Sequence, residues 1–177
     1  MPRNRYRFCG NDAPYFMTLT VNHWLPVFTR PETVEILFNS WCYLRNQHDF
    51  HLHGYVVLEN HLHLIARSPQ LDRDIQRFKS YTARSIIDYL KSVGADRVLQ
   101  LLALFKRRHK THSVHQFWEE GCHPQRIENE VVMSQKLEYI HYNPVKRGYV
   151  DVPEHWRWSS ARNYTNDAGL IEVDRVW

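Results

Sequence analysis

The sequence predicts an α+β fold: a ferredoxin-like split βαβ sandwich, an antiparallel sheet with helices on one face, followed by a C-terminal extension. Three observations predict it. The legible elements run in the order β-α-β-β-α-(β)-α. The two central strands are separated by Glu59-Asn60 alone, a connection that joins antiparallel neighbours. Each helical stretch carries one apolar face, which a sheet must cover.

Taken in order, Tyr15-Phe-Met-Thr-Leu-Thr-Val21 is rich in β-formers and reads as the first strand. A turn around Pro26 and Pro31 precedes a helix over 32–47, where Val34, Leu37, Phe38, Trp41 and Leu44 fall at helical spacing. Phe50 to Leu58 reads as a strand, and His61 to Arg67 as its return. A long helix follows over 70–93. Ile75, Phe78, Thr82, Ile86, Tyr89 and Val93 share one of its sectors, and Arg73, Arg77, Arg84 and Lys91 share the opposite one, interrupted by Asp88. Gly94 ends it. Residues 98–105 are apolar and lead into a basic loop, Lys106-Arg-Arg-His-Lys110. Ser113 to Trp118 reads as a further strand. Asn129 is a natural N-cap for a helix from Glu130 to Tyr142, which Pro144 is expected to stop. Trp156, Trp158 and Trp177 lie in the irregular tail, where core packing is the expected role of Trp.

Composition narrows the class. At 177 residues, 43% hydrophobic and 14% aromatic, the chain suits one domain with a full core. It carries 23 Lys+Arg against 19 Asp+Glu, a net +4 that is compatible with a nucleic-acid partner without requiring one. Cys9, Cys42 and Cys122 are scattered and odd in number, which argues against a disulfide framework and against a cysteine-rich zinc site. No apolar run suits a signal peptide or a membrane span, so a cytoplasmic protein with no membrane partner is expected. No P-loop is visible, so no nucleotide cofactor is expected.

Twelve histidines are more informative than the charge. In Asn60-His61-Leu62-His63-Leu64, residues two apart on a strand face the same way, so His61 and His63 offer paired imidazoles to a metal. His51 and His53 form a second such pair on the preceding strand. Spacing alone does not choose between the pairs, and a four-histidine zinc site across the hairpin is a further arrangement. On the last helix, Tyr139 and Asn143 are one turn apart on a face distinct from the apolar stripe of Met133, Leu137 and Ile140. A phenol is a weak nucleophile until ionised, and Lys136 or Lys79 would favour the phenolate. Lys79 sits at the edge of an apolar sector, where it either reaches a site or snorkels to water. Tyr142 is the rival nucleophile.

The segments Val56-Val-Leu-Glu-Asn-His-Leu-His-Leu-Ile65, Phe78-Lys-Ser-Tyr-Thr-Ala-Arg84, Phe117-Trp-Glu-Glu-Gly121, Lys136-Leu-Glu-Tyr-Ile-His-Tyr-Asn-Pro-Val-Lys-Arg-Gly148 and Trp156-Arg-Trp-Ser-Ser160 together resemble REP-associated tyrosine transposases. These are HUH single-strand nucleases related to small insertion-sequence transposases. The resemblance spans about residues 6–164. It implies an HUH tyrosine nuclease domain over 1–150, with the extension 151–177 packed on or near it. It implies a metal site of His61, His63 and Asn143, with Tyr139 as nucleophile. His51 and His53 match no ligand of that pattern.

The implied activity is that of a metal-dependent single-strand DNA endonuclease and strand transferase acting on hairpin, repetitive palindromic DNA through a 5′-phosphotyrosine. The neutral ligand set suits Mg²⁺ or Mn²⁺. Arg73, Arg77, Arg84, Lys91, Lys106, Arg107, Arg108 and Lys110 are the expected phosphate contacts. The expected partner is single-stranded or hairpin DNA, bound by a monomer or homodimer. The alternatives are a non-catalytic hairpin-binding module derived from a transposase, and a zinc hydrolase built on the strand histidines.

Overall fold

A computed structural model describes residues 8–10, 13–165 and 167–176. Its strands are β1 (Tyr15–Thr20), β2 (His51–Val57), β3 (His61–Arg67) and β4 (Gln125–Arg126), in the sheet order β2-β3-β1-β4 with every pairing antiparallel. The α-helices are α1 (Pro31–His48), α2 (Leu71–Ser92), α3 (Asp96–Leu104) and α4 (Glu130–Lys146). This is the expected α+β architecture with a central hairpin. Among the described residues, no helix is long and apolar enough to cross a membrane.

The helices do not share one face of the sheet. Tyr15, Met17 and Leu19 of β1 and Leu62, Leu64 and Ala66 of β3 pack with α1 and α2 in the main core. The alternate residues Phe16 and Ile65, with Val56 and Leu58, face the other way and are covered by Met133 and Ile140 of α4. The reason lies in the strands. β2 and β3 are buried along nearly their whole length, so both of their faces are covered. The site residues His61 and His63 share the second face, that of Ile65, under α4.

Two further expectations are corrected, and one run left unassigned takes a form. Ser113 to Trp118 is not a ladder strand. Trp118 makes one isolated bridge to Val21 and buries its indole in the main core, while the fourth strand is Gln125–Arg126 beside Tyr15 and Phe16. The apolar run after Ala95 forms α3, which buries Leu99 and Leu102. Pro144 does not stop α4, which runs on to Lys146 with Pro144 buried in its last turn. A proline there removes one donor only. The Arg147 and Tyr149 amides reach back to the Asn143 and Pro144 carbonyls, and Gly148 at φ +72 closes the end.

The tail covers the outer edge of β2, which would otherwise present unpaired backbone. Val57 N–H donates to Trp158 O, Ser160 N–H to Tyr55 O and Asp174 N–H to Leu52 O. Trp156 and Trp158 are half-buried, and the Trp156 indole donates to Val57 O. Trp177 lies outside the described residues.

Candidate functional site

The site is assembled on the α4 face of the sheet. Asn129 caps α4 by accepting from the Val132 amide at 3.0 Å, as its position suggests. The stripe of Met133 and Ile140 then seats the helix on Phe16, Val56 and Ile65. That seating brings the half-exposed Tyr139 ring to 5.8 Å from Phe16 and 5.3 Å from His63, both edge-on. The His63 ring is 5.0 Å from that of His61. Strand alternation and one helical stripe therefore place the two histidines and the tyrosine in a row.

Each imidazole is held at Nδ1. Asn60 Oδ1 lies 2.6 Å from His61 Nδ1, and Thr18 Oγ1 lies 2.8 Å from His63 Nδ1. The Asn60 oxygen only accepts, so His61 carries its proton on Nδ1 and presents a lone pair at Nε2. His63 Nε2 is buried and has no hydrogen-bond partner among the described residues. Burial, with the Arg147 charge second, pushes the His61 pKa down to about 4. Burial pushes His63 to about 3, helped by His61, Arg147 and Lys136. Both rings are neutral at pH 7, the state that binds metal.

The other predicted residues divide. Asn143 is buried one turn after Tyr139, and its Oδ1 accepts from Arg147 Nε at 3.0 Å; Arg147 also pairs with Glu59 at 3.3 Å. Lys136 is brought to the site: its ammonium lies 4.6 Å from the Phe16 ring centroid and donates to Gln125 Oε1 at 2.6 Å. Lys79 is not. It belongs to α2 beneath the opposite face, where its ammonium donates to the Glu119 and Gly121 carbonyls at 2.7 and 2.8 Å. Burial lowers its pKa, but neither reading of Lys79 as a site residue or a snorkelling one survives. Lys146 takes the place assigned to it, 5.8 Å from the Tyr139 ring centroid. It sits seven residues after Tyr139, two turns along the same helix face, a spacing that makes it legible in the sequence.

The second histidine pair does not join the first. His51 pairs with Asp49 and Asp174 at the sheet edge, and His53 Nδ1 lies 2.7 Å from the Asp174 carbonyl oxygen. Among the described residues, no group of three or more His, Cys, Asp or Glu side chains could hold a metal. The four-histidine zinc site is thus absent, and a metal at His61 and His63 needs a neutral third donor such as Asn143.

The basic residues are also divided. Arg73, Arg77, Arg84 and Lys91 are exposed on α2, across the sheet from Tyr139. Arg77 is tied to the buried Asp74 at 2.7 Å and Lys91 to Asp88 at 3.5 Å. In the loop, Arg107 pairs with Glu119 and Glu120, Lys110 with Glu120, and Lys106 donates to the Lys110 carbonyl, while Arg108 is exposed. This loop follows directly on Phe105, whose ring stacks on His23, and its Lys110 lies among Gln76, Lys79 and Ala83 of α2.

The same arrangement of elements occurs in a solved structure of a REP-associated tyrosine transposase bound to a REP hairpin, with TM-score 0.64 and 18% identity over 99% of this chain and 94% of that one. This chain has the fold of a REP-associated tyrosine transposase. In sequence it is 29% identical over 104 residues to a Haemophilus influenzae protein provisionally named a REP-associated tyrosine transposase. That match covers 59% of this chain and 54% of the relative, so the chain spans about half the length of the transposase it matches. No family model matches the chain.

Proposed function

We propose that this chain is a metal-dependent single-strand DNA endonuclease and strand transferase with Tyr139 as its nucleophile. The observation that carries the reading is the row Tyr139, His63, His61, with a buried Nε2 on His63 that no group among the described residues uses. A buried polar atom without a partner is costly, and in native proteins it usually has a role. The donor set fits a divalent ion: two neutral imidazoles fixed at Nδ1, with the buried Asn143 amide one turn after Tyr139. His61, His63 and Asn143 would hold Mg²⁺ or Mn²⁺ there, which when bound offsets the charge of a phosphodiester.

The chain's own groups do the rest. Lys146, with its ammonium 5.8 Å from the Tyr139 ring centroid, and Lys136, one turn before Tyr139 on α4, offer positive charge to the phosphate under attack. The Tyr139 oxygen attacks in line, the Oη–P bond forms and the P–O3′ bond breaks. The phenolic proton of Tyr139 passes to water, the leaving 3′-oxygen takes one up from water and becomes a free hydroxyl, and the strand beyond the cut remains on Tyr139 through its 5′-phosphate. The link conserves the ester bond, so the hydroxyl can attack the phosphotyrosine and rejoin the strand without a nucleotide cofactor. Hairpin DNA of the repetitive palindromic kind is the substrate that the transposase fold and the matched relative support. The domain 1–150 carries the chemistry as a monomer or homodimer, with 151–177 bracing β2. Phosphate contacts come from the Lys106–Lys110 loop and the α2 arginines, a surface for a longer duplex stem.

The test is a denaturation-resistant protein–DNA adduct formed with hairpin DNA bearing single-stranded flanks and Mn²⁺. Wild type forms it, Tyr139→Phe and His61→Ala do not, and Tyr142→Phe does. Tyr142 is exposed on another sector of α4 and has no recorded ring contact with either histidine. An adduct that survives Tyr139→Phe and is lost with Tyr142→Phe would overturn the nucleophile. Hairpin binding with neither adduct nor cleavage would show a binding module instead.

A further inference from the structure

We infer that Trp24 is a nucleobase subsite, taking the base of the nucleotide whose 3′-oxygen leaves; this rests on Tyr139 being the nucleophile at His61 and His63. Trp24 is 56% exposed, whereas Trp41 and Trp118 are buried. It is also held in an unfavourable backbone. His23 at φ 54 and Trp24 at φ 56 are consecutive non-glycine residues in the left-handed region. Such conformations persist only where the surroundings enforce them, and they gather at functional sites.

Here the enforcement is visible. Asn22 is buried, with its amide donating to Phe105 O at 3.1 Å and its N–H to Phe117 O at 2.7 Å. The His23 N–H donates to Glu119 Oε1 at 3.1 Å, and its ring stacks on Phe105 with centroids 3.8 Å apart. The turn is clamped through Asn22 and His23, and its strain leaves the largest side chain outside. The one ring contact of Trp24 recorded among the described residues is to His61, at 5.2 Å and 66°. The indole therefore stands at the site with much of its surface open to a planar ligand. Trp presents a large rigid ring at little entropic cost, and single-stranded bases stack on such rings regardless of sequence.

The order of the rings settles which base. Trp24, His61, His63 and Tyr139 follow one another with successive centroids 5.2, 5.0 and 5.3 Å apart. In-line displacement puts nucleophile and leaving group on opposite sides of phosphorus. With Tyr139 at one end and the phosphate over the histidines, the departing 3′-oxygen points toward Trp24. A base stacked there keeps the freed 3′-hydroxyl beside the phosphotyrosine, ready for the reverse attack that re-forms P–O3′ and releases Tyr139. Trp24 is then a positioning residue for rejoining.

The experiment uses the Tyr139→Phe protein, which holds DNA without cutting, and a set of hairpin oligonucleotides carrying 2-aminopurine at each flanking position in turn. The cut is mapped separately with wild type. Quenching is expected at the position just 5′ of the cut, lost with Trp24→Ala or Trp24→Leu and restored with Trp24→Tyr. Trp24→Ala should weaken oligonucleotide binding about tenfold, and it should slow rejoining more than cleavage. Affinity for Mn²⁺ alone and the melting temperature should stay at wild-type values. A Trp24-dependent quench 3′ of the cut, or at no position, overturns the assignment. So does loss of Mn²⁺ affinity in Trp24→Ala, which would make the indole a support for His61. If wild type forms no adduct, the nuclease reading and the leaving-group assignment fall, and a Trp24-dependent quench would then show base binding alone.

Discussion

Replacing Thr18 by Val should weaken metal binding without dismantling the fold, and the reason is a proton. Thr18 Oγ1 lies 2.8 Å from His63 Nδ1, and His63 Nε2 is buried with no partner among the described residues. If Nδ1–H donates to the hydroxyl, Nε2 has a lone pair for a metal. If the hydroxyl donates to Nδ1, the proton sits on Nε2 and blocks it. Valine keeps the shape and removes the choice, so the ring is held neither in tautomer nor in angle. Loss of a hydrogen bond to the far nitrogen of a ligand histidine typically costs 10–100-fold in metal affinity, about 1.4–2.8 kcal/mol. Leaving Nδ1 unpaired in a buried place costs stability as well, about 1–3 kcal/mol. Mn²⁺ titration by calorimetry or electron paramagnetic resonance, with no DNA present, reads the first effect, and urea unfolding reads the second. Thr18→Ser restores both. Wild-type Mn²⁺ affinity in Thr18→Val would refute the reasoning, because His63 would then be oriented by something other than this bond.

Two other outcomes follow from packing and burial. A Cβ added at Gly54 would stand 2.6 Å from Leu137 Cδ2, so Gly54→Ala pushes on the face of α4 that seats Tyr139. A stability loss of about 1–3 kcal/mol is expected, with adduct formation falling as the tyrosine shifts; Leu137→Ala in the same chain should recover both. Unchanged stability would mean that the leucine yields freely. His141 is buried against Ser160 and held by burial at a pKa of about 4, with His61 and His63 lower than usual for the same first cause. An unfolded histidine takes a proton near pH 6.5 that these refuse. Stability is therefore full above that value and is lost as pH falls toward 4, by about 3 kcal/mol for His141 alone. Urea unfolding between pH 7.5 and 4.5 should show a shallower decline for His141→Gln, and an identical slope would contradict it.

Much of the fold was legible because the period of the apolar residues carries it. The hairpin of β2 and β3, the long α2 and the cap at Asn129 are local patterns, read from neighbours within a turn or a strand. The choice of face was not legible. Met133 and Ile140 show that α4 packs on something, but not that it packs opposite α1 and α2. That depends on which surface Phe16, Val56 and Ile65 leave open once the strands are paired. Lys79 misleads for the same reason: its place on the helix is correct, and the helix lies beneath the wrong side of the sheet.

The candidate site divides along the same line. The pairing of His61 with His63, and of Tyr139 with Asn143, was determined by the sequence itself, since a two-residue and a four-residue spacing put side chains together in any strand or helix. Tertiary structure alone decided that the two pairs meet and that His51 and His53 turn to Asp174 instead. It also brought Thr18 and Trp24 to the same row of rings. Contacts between residues distant in sequence depend on strand register and helix docking, and these are set by the sum of buried surfaces rather than by any one motif.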